Sequence, residues 1–197
     1  MTAVVVRPAV LEDAEAIALA HVRAWQGAYR GLIDQDHLDG LDPERYTAGW
    51  RRMLGEGPDP ARAWAGHGAT TAARQVVGLL DHRVVGFAGY GPCRDEDGSG
   101  LGELYAINLH PEAWGRGVGT ALLARVILDL ARAGLVSARL WVLPGNRRAR
   151  RFYEARGWSC TGATREAEVN GVTLPEVAYE RSLADARPVG GGVPDGP

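Results

Sequence analysis

The sequence predicts an α/β fold, with helices flanking a mixed, mostly antiparallel sheet. Three observations carry that expectation. Apolar spacing switches repeatedly between strand alternation and helical periodicity, in the order β-α-α-β-β-β-α-β-α-β-β. Two tight-turn signals, Asp81-His82 and Asn170-Gly171, each separate a pair of strand-like runs. The stretch from Leu101 to Ala133 passes from a strand through three closely spaced glycines into a helix.

Val4 to Arg7 reads as the first strand, ended by Pro8. Residues 12–29 place Ala14, Ile17, Ala18, His21, Trp25 and Ala28 on one helical face, although Val10 and Leu11 sit where a capping side chain belongs. Gly31 breaks that helix. Asp42-Pro43 starts a second one, with a cap followed by proline at the first helical position, and it runs to Gly55. The Gly-, Pro- and Ala-rich segment from Gly55 to Gly68 reads as a loop. Gln75–Leu80 and Arg83–Tyr90 then form a hairpin, and Cys93–Gly100 is polar and turn-like.

Leu101 to Leu109 is a strand that His110-Pro111 must stop, since proline cannot donate to a sheet ladder. After the glycines, Val118, Leu122, Val126 and Leu130 recur at helical spacing, and Gly134 stands where a left-handed C-cap belongs. Arg139–Leu143 is a strand. Asn146 caps a helix reaching Arg156, with Gly157 as its C-cap. A last hairpin covers 157–169 and 172–183. Residues 1–186 therefore read as one domain, and 187–197 (RPVGGGVPDGP) as a disordered tail with little to bury.

The totals narrow the function. A chain of 197 residues with a net charge of −2 has no electrostatic case for binding nucleic acid or an acidic membrane. No apolar run is long enough to span a membrane or serve as a signal peptide, so a cytoplasmic protein is expected. Cys93 and Cys160 form no CxxC, and the five histidines show no metal-ligand spacing, so no metal is expected. All 22 basic residues are arginine, which excludes Schiff-base chemistry and a P-loop lysine.

The loop Trp114-Gly115-Arg116-Gly117-Val118-Gly119-Thr120 joins a strand to a helix N-terminus. Unshielded backbone N–H groups and the helix dipole suit that arrangement to an anion. By itself it is also an ordinary strand-to-helix turn. It resembles the Q/R-x-x-G-x-G/A loop of the GNAT N-acetyltransferases, with Trp114 in the first position. The later segment Asn146-x-x-Ala149-x-x-Phe152-Tyr153-Glu154-x-x-Gly157-Trp158 resembles that family's N-x-x-A-x-x-F-Y-E-x-x-G-F.

The resemblance covers Arg7 to about Leu183. It implies a GNAT fold in which the fourth and fifth strands splay apart around the pantetheine arm of acetyl-CoA. It further implies transfer of acetyl to a primary amine by direct attack, and a homodimer. Gly115, Arg116, Gly117, Val118, Gly119 and Thr120 would hold the pyrophosphate. Asn146 would bond the pantetheine arm, besides any role as a helix cap. The backbone around Ile107, Asn108 and Leu109 would supply the oxyanion donor, and Tyr153 the proton for the departing thiolate.

Some members carry a glutamate five residues before the asparagine; Trp141 stands there. Glu103 is the candidate general base in its place, the alternative being a solvent-facing carboxylate. Trp25, Tyr29 and Trp141 are candidates for an acceptor pocket, because aromatic walls suit an amine cation; core packing is their alternative role. Arg116 or one of Arg147, Arg148, Arg150 and Arg151 is placed to reach the phosphates. A small-molecule amine is the favoured acceptor. A peptide N-terminus, or a non-catalytic acyl-CoA sensor, are the alternatives.

Overall fold

The structure is a computed structural model of the chain and describes residues 3–55, 73–95, 100–169 and 171–186. Strand β1 (Val4–Pro8) leads through a 3-10 turn at Leu11–Asp13 into helix α1 (Ala14–Ala28). Asp13 stands at the N-cap of α1 without a side-chain bond to that helix, and its carboxylate instead closes the 3-10 turn. Its Oδ2 accepts the Val10 N–H at 2.9 Å, and Arg7 donates two hydrogen bonds to the same carboxylate. A short helix α2 (Gln35–Asp39) follows, capped by Asp34. The sequence reading has no counterpart for α2, because five residues are too few to show a period. Helix α3 (Pro43–Gly55) starts at the expected proline.

Strands β2 (Arg74–Leu80) and β3 (Arg83–Pro92) form the expected hairpin. Asp81 and His82 both adopt positive φ, at 50° and 63°, as a primed two-residue turn requires. Next come β4 (Leu101–Leu109), helix α4 (Val118–Arg132), β5 (Ser137–Val142) and helix α5 (Arg147–Glu154). The chain closes with β6 (Ser159–Val169) and β7 (Val172–Ser182). The tail at 187–197, the segment 56–68 of the expected loop, and Asn170 of the last turn lie outside the described residues.

Among the described residues seven strands pair in the order β1-β2-β3-β4-β5-β7-β6, and only β4 and β5 of them run parallel. Helix α4 covers one face through Val118, Leu122, Val126 and Leu130, packed with Val76, Ala88, Leu140 and Tyr179. Helices α1 and α3 cover part of the other, where Ile17 and Trp50 meet Val77 and Phe87. Burying these side chains is the main favourable term in holding the layers together.

Two irregularities open the sheet. The β3–β4 register slips between Gly89 and Tyr90, so that Gly89 faces Ala106 and Tyr90 faces Leu104. Tyr105 is the extra residue, and such a bulge bends the strand it sits in. The β4–β5 pairing then runs from Leu101↔Ser137 only as far as Leu104↔Leu140. From Tyr105 onward β4 has no strand partner on that side among the described residues. The splay implied by the resemblance is present, and it positions the site.

Candidate active site

The gap between β4 and β5 is the spine of a cleft of about 580 Å³. At one end lies the glycine loop. Gly115 and Gly117 take positive φ, 75° and 86°, and a Cβ on either would meet nothing within 4 Å. Gly117 is the N-cap of α4, whose first internal bond runs from the Ala121 N–H to the Gly117 carbonyl at 3.0 Å. Among the described residues, no carbonyl accepts from the N–H of Val118, Gly119 or Thr120. Bare donors, the dipole of a 15-residue helix and open space make a cradle for a phosphate-like anion.

Trp114 ties this loop down. Its indole N–H donates to the Leu109 carbonyl at 3.1 Å, and Arg148 stacks on its ring at 4.0 Å. Gly27 lets α1 pass this close: a Cβ there would stand 2.9 Å from Pro111 and 3.0 Å from the Trp114 ring. Arg148 and Arg151 line the cleft, as does Arg156, which donates to Thr120 Oγ1 at 2.6 Å. Arg150 turns away to the Tyr179 hydroxyl and the Pro144 carbonyl.

In the middle, Ile107, Asn108 and Leu109 line the splayed part of β4. Asn146 Oδ1 accepts the Ala149 N–H at 3.1 Å, so Asn146 caps α5 while also lining the cleft. The Tyr153 ring packs at 5.4 Å from Phe152 and 6.1 Å from Trp158. Burial, with the neighbouring Tyr29 adding to it, pushes the Tyr153 hydroxyl well above the usual tyrosine value. It keeps its proton.

The other end is walled by Trp25, Tyr29, Trp141, Val169 and Glu176. Trp25 and Tyr29 meet edge to face with centroids 4.9 Å apart. Tyr29 is pushed up to about 12 by burial and by the Glu176 charge. Glu176 is 7 % exposed, and Arg165 Nε donates to its Oε2 at 2.9 Å. Burial raises its carboxyl above the ordinary glutamate value, against the lowering effect of Arg165.

Most of the residues singled out in the sequence thus share one cleft. Three do not. Arg116 points to Asp81 at 3.9 Å on the surface. The Val118 side chain is buried in the core, where a Cβ on Gly78 would come within 2.6 Å of it. Glu103 faces neither solvent nor the cleft. It is 1 % exposed and takes three donors from Arg94: the backbone N–H at 3.1 Å, Nε at 3.0 Å, and Nη2. A carboxylate so engaged has its lone pairs directed at a permanent partner.

Glu176 and Arg156 are the cleft residues that sequence reasoning passed over. For Glu176 a signal existed. On the alternating strand Leu174-Pro175-Glu176-Val177-Ala178, it shares a face with two buried apolar residues. A charge in that position is the kind that needs a reason.

Beside Glu176 runs a chain of ion pairs. Asp95 accepts from Arg139 at 2.9 Å, from Arg165 at 3.2 Å and from the Trp141 indole at 3.3 Å. Arg139 also pairs with Glu180 at 2.9 Å. Arg165 lies over the Trp141 ring at 4.2 Å. Trp141 is therefore fixed from both sides. Among the described residues, no cluster of His, Cys, Asp and Glu is arranged to hold a metal, and no helix is long and apolar enough to cross a membrane.

The family model described as the acetyltransferase (GNAT) family matches residues 43–158. The chain is 34 % identical over 174 residues to the uncharacterized N-acetyltransferase YuaI of Bacillus subtilis, covering 88 % of this chain and 90 % of the relative. Its fold matches that of PaiA N-acetyltransferase from Thermoplasma acidophilum, solved in complex with coenzyme A. The TM-score is 0.68 at 16 % identity, over 91 % of this chain and 99 % of that one. YncA from Salmonella typhimurium, solved with acetyl-CoA, matches with a TM-score of 0.60 at 20 % identity, over 92 % of this chain and 94 % of that one.

Proposed function

The chain belongs to the acetyltransferase (GNAT) family, and on that premise we propose that it moves the acetyl group of acetyl-CoA to a primary amine by direct attack. The observation that carries this reading is the continuity of the cleft. One cavity runs from a cradle of bare N–H groups, past Asn146 and Tyr153, to an aromatic end with a carboxylate.

Each part has work to do in such a transfer. The Gly115–Thr120 loop and the arginines around it, Arg148, Arg151 and Arg156, hold the pyrophosphate. The Asn146 amide orients the pantetheine arm in the gap where β4 and β5 part. Backbone N–H groups of Ile107 and Leu109, on the side of β4 that the splay leaves open, stabilise the oxyanion as the amine nitrogen bonds to the thioester carbon. The Tyr153 hydroxyl donates to the sulfur as the C–S bond breaks. Burial keeps the tyrosine protonated at neutral pH, so a proton is in place when the C–S bond breaks. Nothing in this route requires an acyl-enzyme.

A small amine fits the acceptor end better than a peptide does. Trp25, Val169 and Glu176, all under 10 % exposed, line that end with little free surface of their own for a chain to lie along. A purely sensory role would leave the buried Tyr153 hydroxyl without a use.

The loop assignment is tested by pairing Gly117→Ala with Gly117→Glu. Both force a side chain into positive φ, which costs about 1–3 kcal/mol of strain. Only glutamate adds bulk and negative charge where phosphate sits. We expect Gly117→Glu to abolish acetyl-CoA binding in calorimetry, beyond any loss from Gly117→Ala. Equal affinities in the two folded variants would remove the loop from the site.

A further inference from the structure

Attack by an amine releases protons, and something on the acceptor side must take one. Among the described residues that line the cleft there is no histidine, and Glu176 is the sole carboxylate. We propose that Glu176 is the catalytic base: it holds the acceptor nitrogen at the thioester and takes its proton. This rests on the amine-transfer reading above.

The placement of Glu176 follows from strand register. The β5–β7 pairing ends at Val142↔Val177, so Glu176 is the first β7 residue beyond it, at the mouth of the gap. Val177 and Tyr179 turn to the α4 side of the sheet, which leaves Glu176 on the side of Trp25 and Tyr29. Arg165 stands directly across from it on β6 and engages Oε2. Among the described residues, no hydrogen bond to Oε1 competes with a substrate. Arg165 is in turn held by Asp95 and stacked on Trp141, so the carboxylate is aimed by a chain of contacts rather than left to rotate. The fixed pair keeps a 7 % exposed charge tolerable.

The proton balance is simple. The acceptor enters as an ammonium, sheds one proton to water and attacks as the neutral amine. Its lone pair forms the N–C bond while the carbonyl π pair moves onto oxygen. The adduct's N–H is now far more acidic than an alkylammonium, and Glu176 takes that second proton. Collapse expels the sulfur, which is protonated from Tyr153, and the proton on Glu176 restores the balance through solvent. The groups facing Glu176 are Arg165 from β6, Tyr29 from the end of α1, and Glu103 with Arg94 beneath.

The test uses the full chain with tyramine, phenethylamine, putrescine and an alanyl tripeptide as acceptors, read by CoA release across pH. Glu176→Gln keeps the shape and the Arg165 contact. We expect acetyl-CoA affinity and melting temperature to match wild type while kcat/KM falls by about 10²–10³. We also expect the acid side of the log kcat/KM profile to lose one of its two ionisations, the amine's own remaining. Full kcat/KM with an unchanged profile would overturn the assignment and leave the amine-transfer reading standing. Lost acetyl-CoA affinity or stability in Glu176→Gln would make the residue structural and overturn it as well. A wild type that binds acetyl-CoA yet acetylates no amine would bring down the amine-transfer reading and this assignment with it.

Discussion

The two halves of the sheet are built on different terms. In the half formed by β1 to β4, both faces are apolar: Val76 and Ala88 meet α4 on one side, Val77 and Phe87 meet α1 and α3 on the other. In the half formed by β5, β7 and β6, the α4 side is still apolar, with Ala138, Leu140 and Tyr179. Its other face carries Arg139, Trp141, Glu176, Glu180 and Arg165, knitted together through Asp95. Helix α1 packs chiefly over β3 and β4, and beyond them its end reaches the last hairpin through Trp25, which meets Val169 and Leu174. Where helix cover stops, charge replaces hydrocarbon. The cleft lies on that border, so one wall is a rigid scaffold and the other a polar surface able to meet an amine.

The largest effect should come from the border itself. Among the described residues the Tyr153 hydroxyl makes no hydrogen bond, while its ring packs on Phe152 and Trp158. Tyr153→Phe should therefore leave melting temperature and acetyl-CoA affinity near wild type. Turnover should drop by about 10²–10⁴, the range for one positioned acid. A variant that loses stability by about 1 kcal/mol with full turnover would move the hydroxyl into the structural account.

The scaffold half should answer in the opposite way. Leu130 is 2 % exposed, at the end of α4 away from the glycine loop, and packs so closely that a Cβ on Gly102 would meet it at 3.0 Å. Leu130→Ala leaves a cavity in a close-packed layer and should cost about 2–5 kcal/mol in denaturant unfolding. Acetyl-CoA affinity of the folded fraction should not change. A large loss of affinity at modest unfolding cost would mean the two halves are coupled more tightly than the packing implies.

The same contrast explains what was legible in the sequence. Elements of the scaffold half announce themselves through periodicity, proline stops and glycine caps. The helix from Val118, its end at Gly134 and the Asp81-His82 turn are all local chemistry. The glycine loop and the Asn146–Trp158 segment are legible for the same reason, since each is one contiguous stretch. The ionic half is not local. Asp95, Arg139, Arg165 and Glu176 come from four separate stretches and meet only once β7 is inserted between β5 and β6. Glu103 looked available because nothing in its neighbourhood along the chain reveals Arg94 folding back over it across the β3–β4 connection. Glu176 carries one local mark, its place on the buried face of β7, but its partner is on the adjacent strand and its pocket is shared with the end of α1.

The smallest effect, and the closest test of the contrast, is Asp95→Asn. Burial pushes the Asp95 carboxyl up, but the Arg139 hydrogen bond, the Arg165 charge and the Trp141 indole outweigh it and hold the group below the usual carboxylate range. A carboxyl lowered on folding contributes stability above its unfolded value near 3.8, and that contribution fades as pH falls through the folded value. Asp95 is a quarter exposed, at 25 %, so solvent screens much of the attraction. Asparagine keeps an oxygen for Trp141 and removes only the charge. We expect a loss of about 1 kcal/mol or less at neutral pH, shrinking in high salt and vanishing in acid, where wild type is neutral too. Unfolding by urea at neutral and acidic pH, with and without added salt, measures all three. A loss as large as that of Leu130→Ala would show that the ionic face is a second core rather than a screened surface. A loss indifferent to salt and acid would place the contribution in shape alone. If stability barely moves while turnover falls, Asp95 holds Arg165, and through it Glu176, for chemistry rather than for folding.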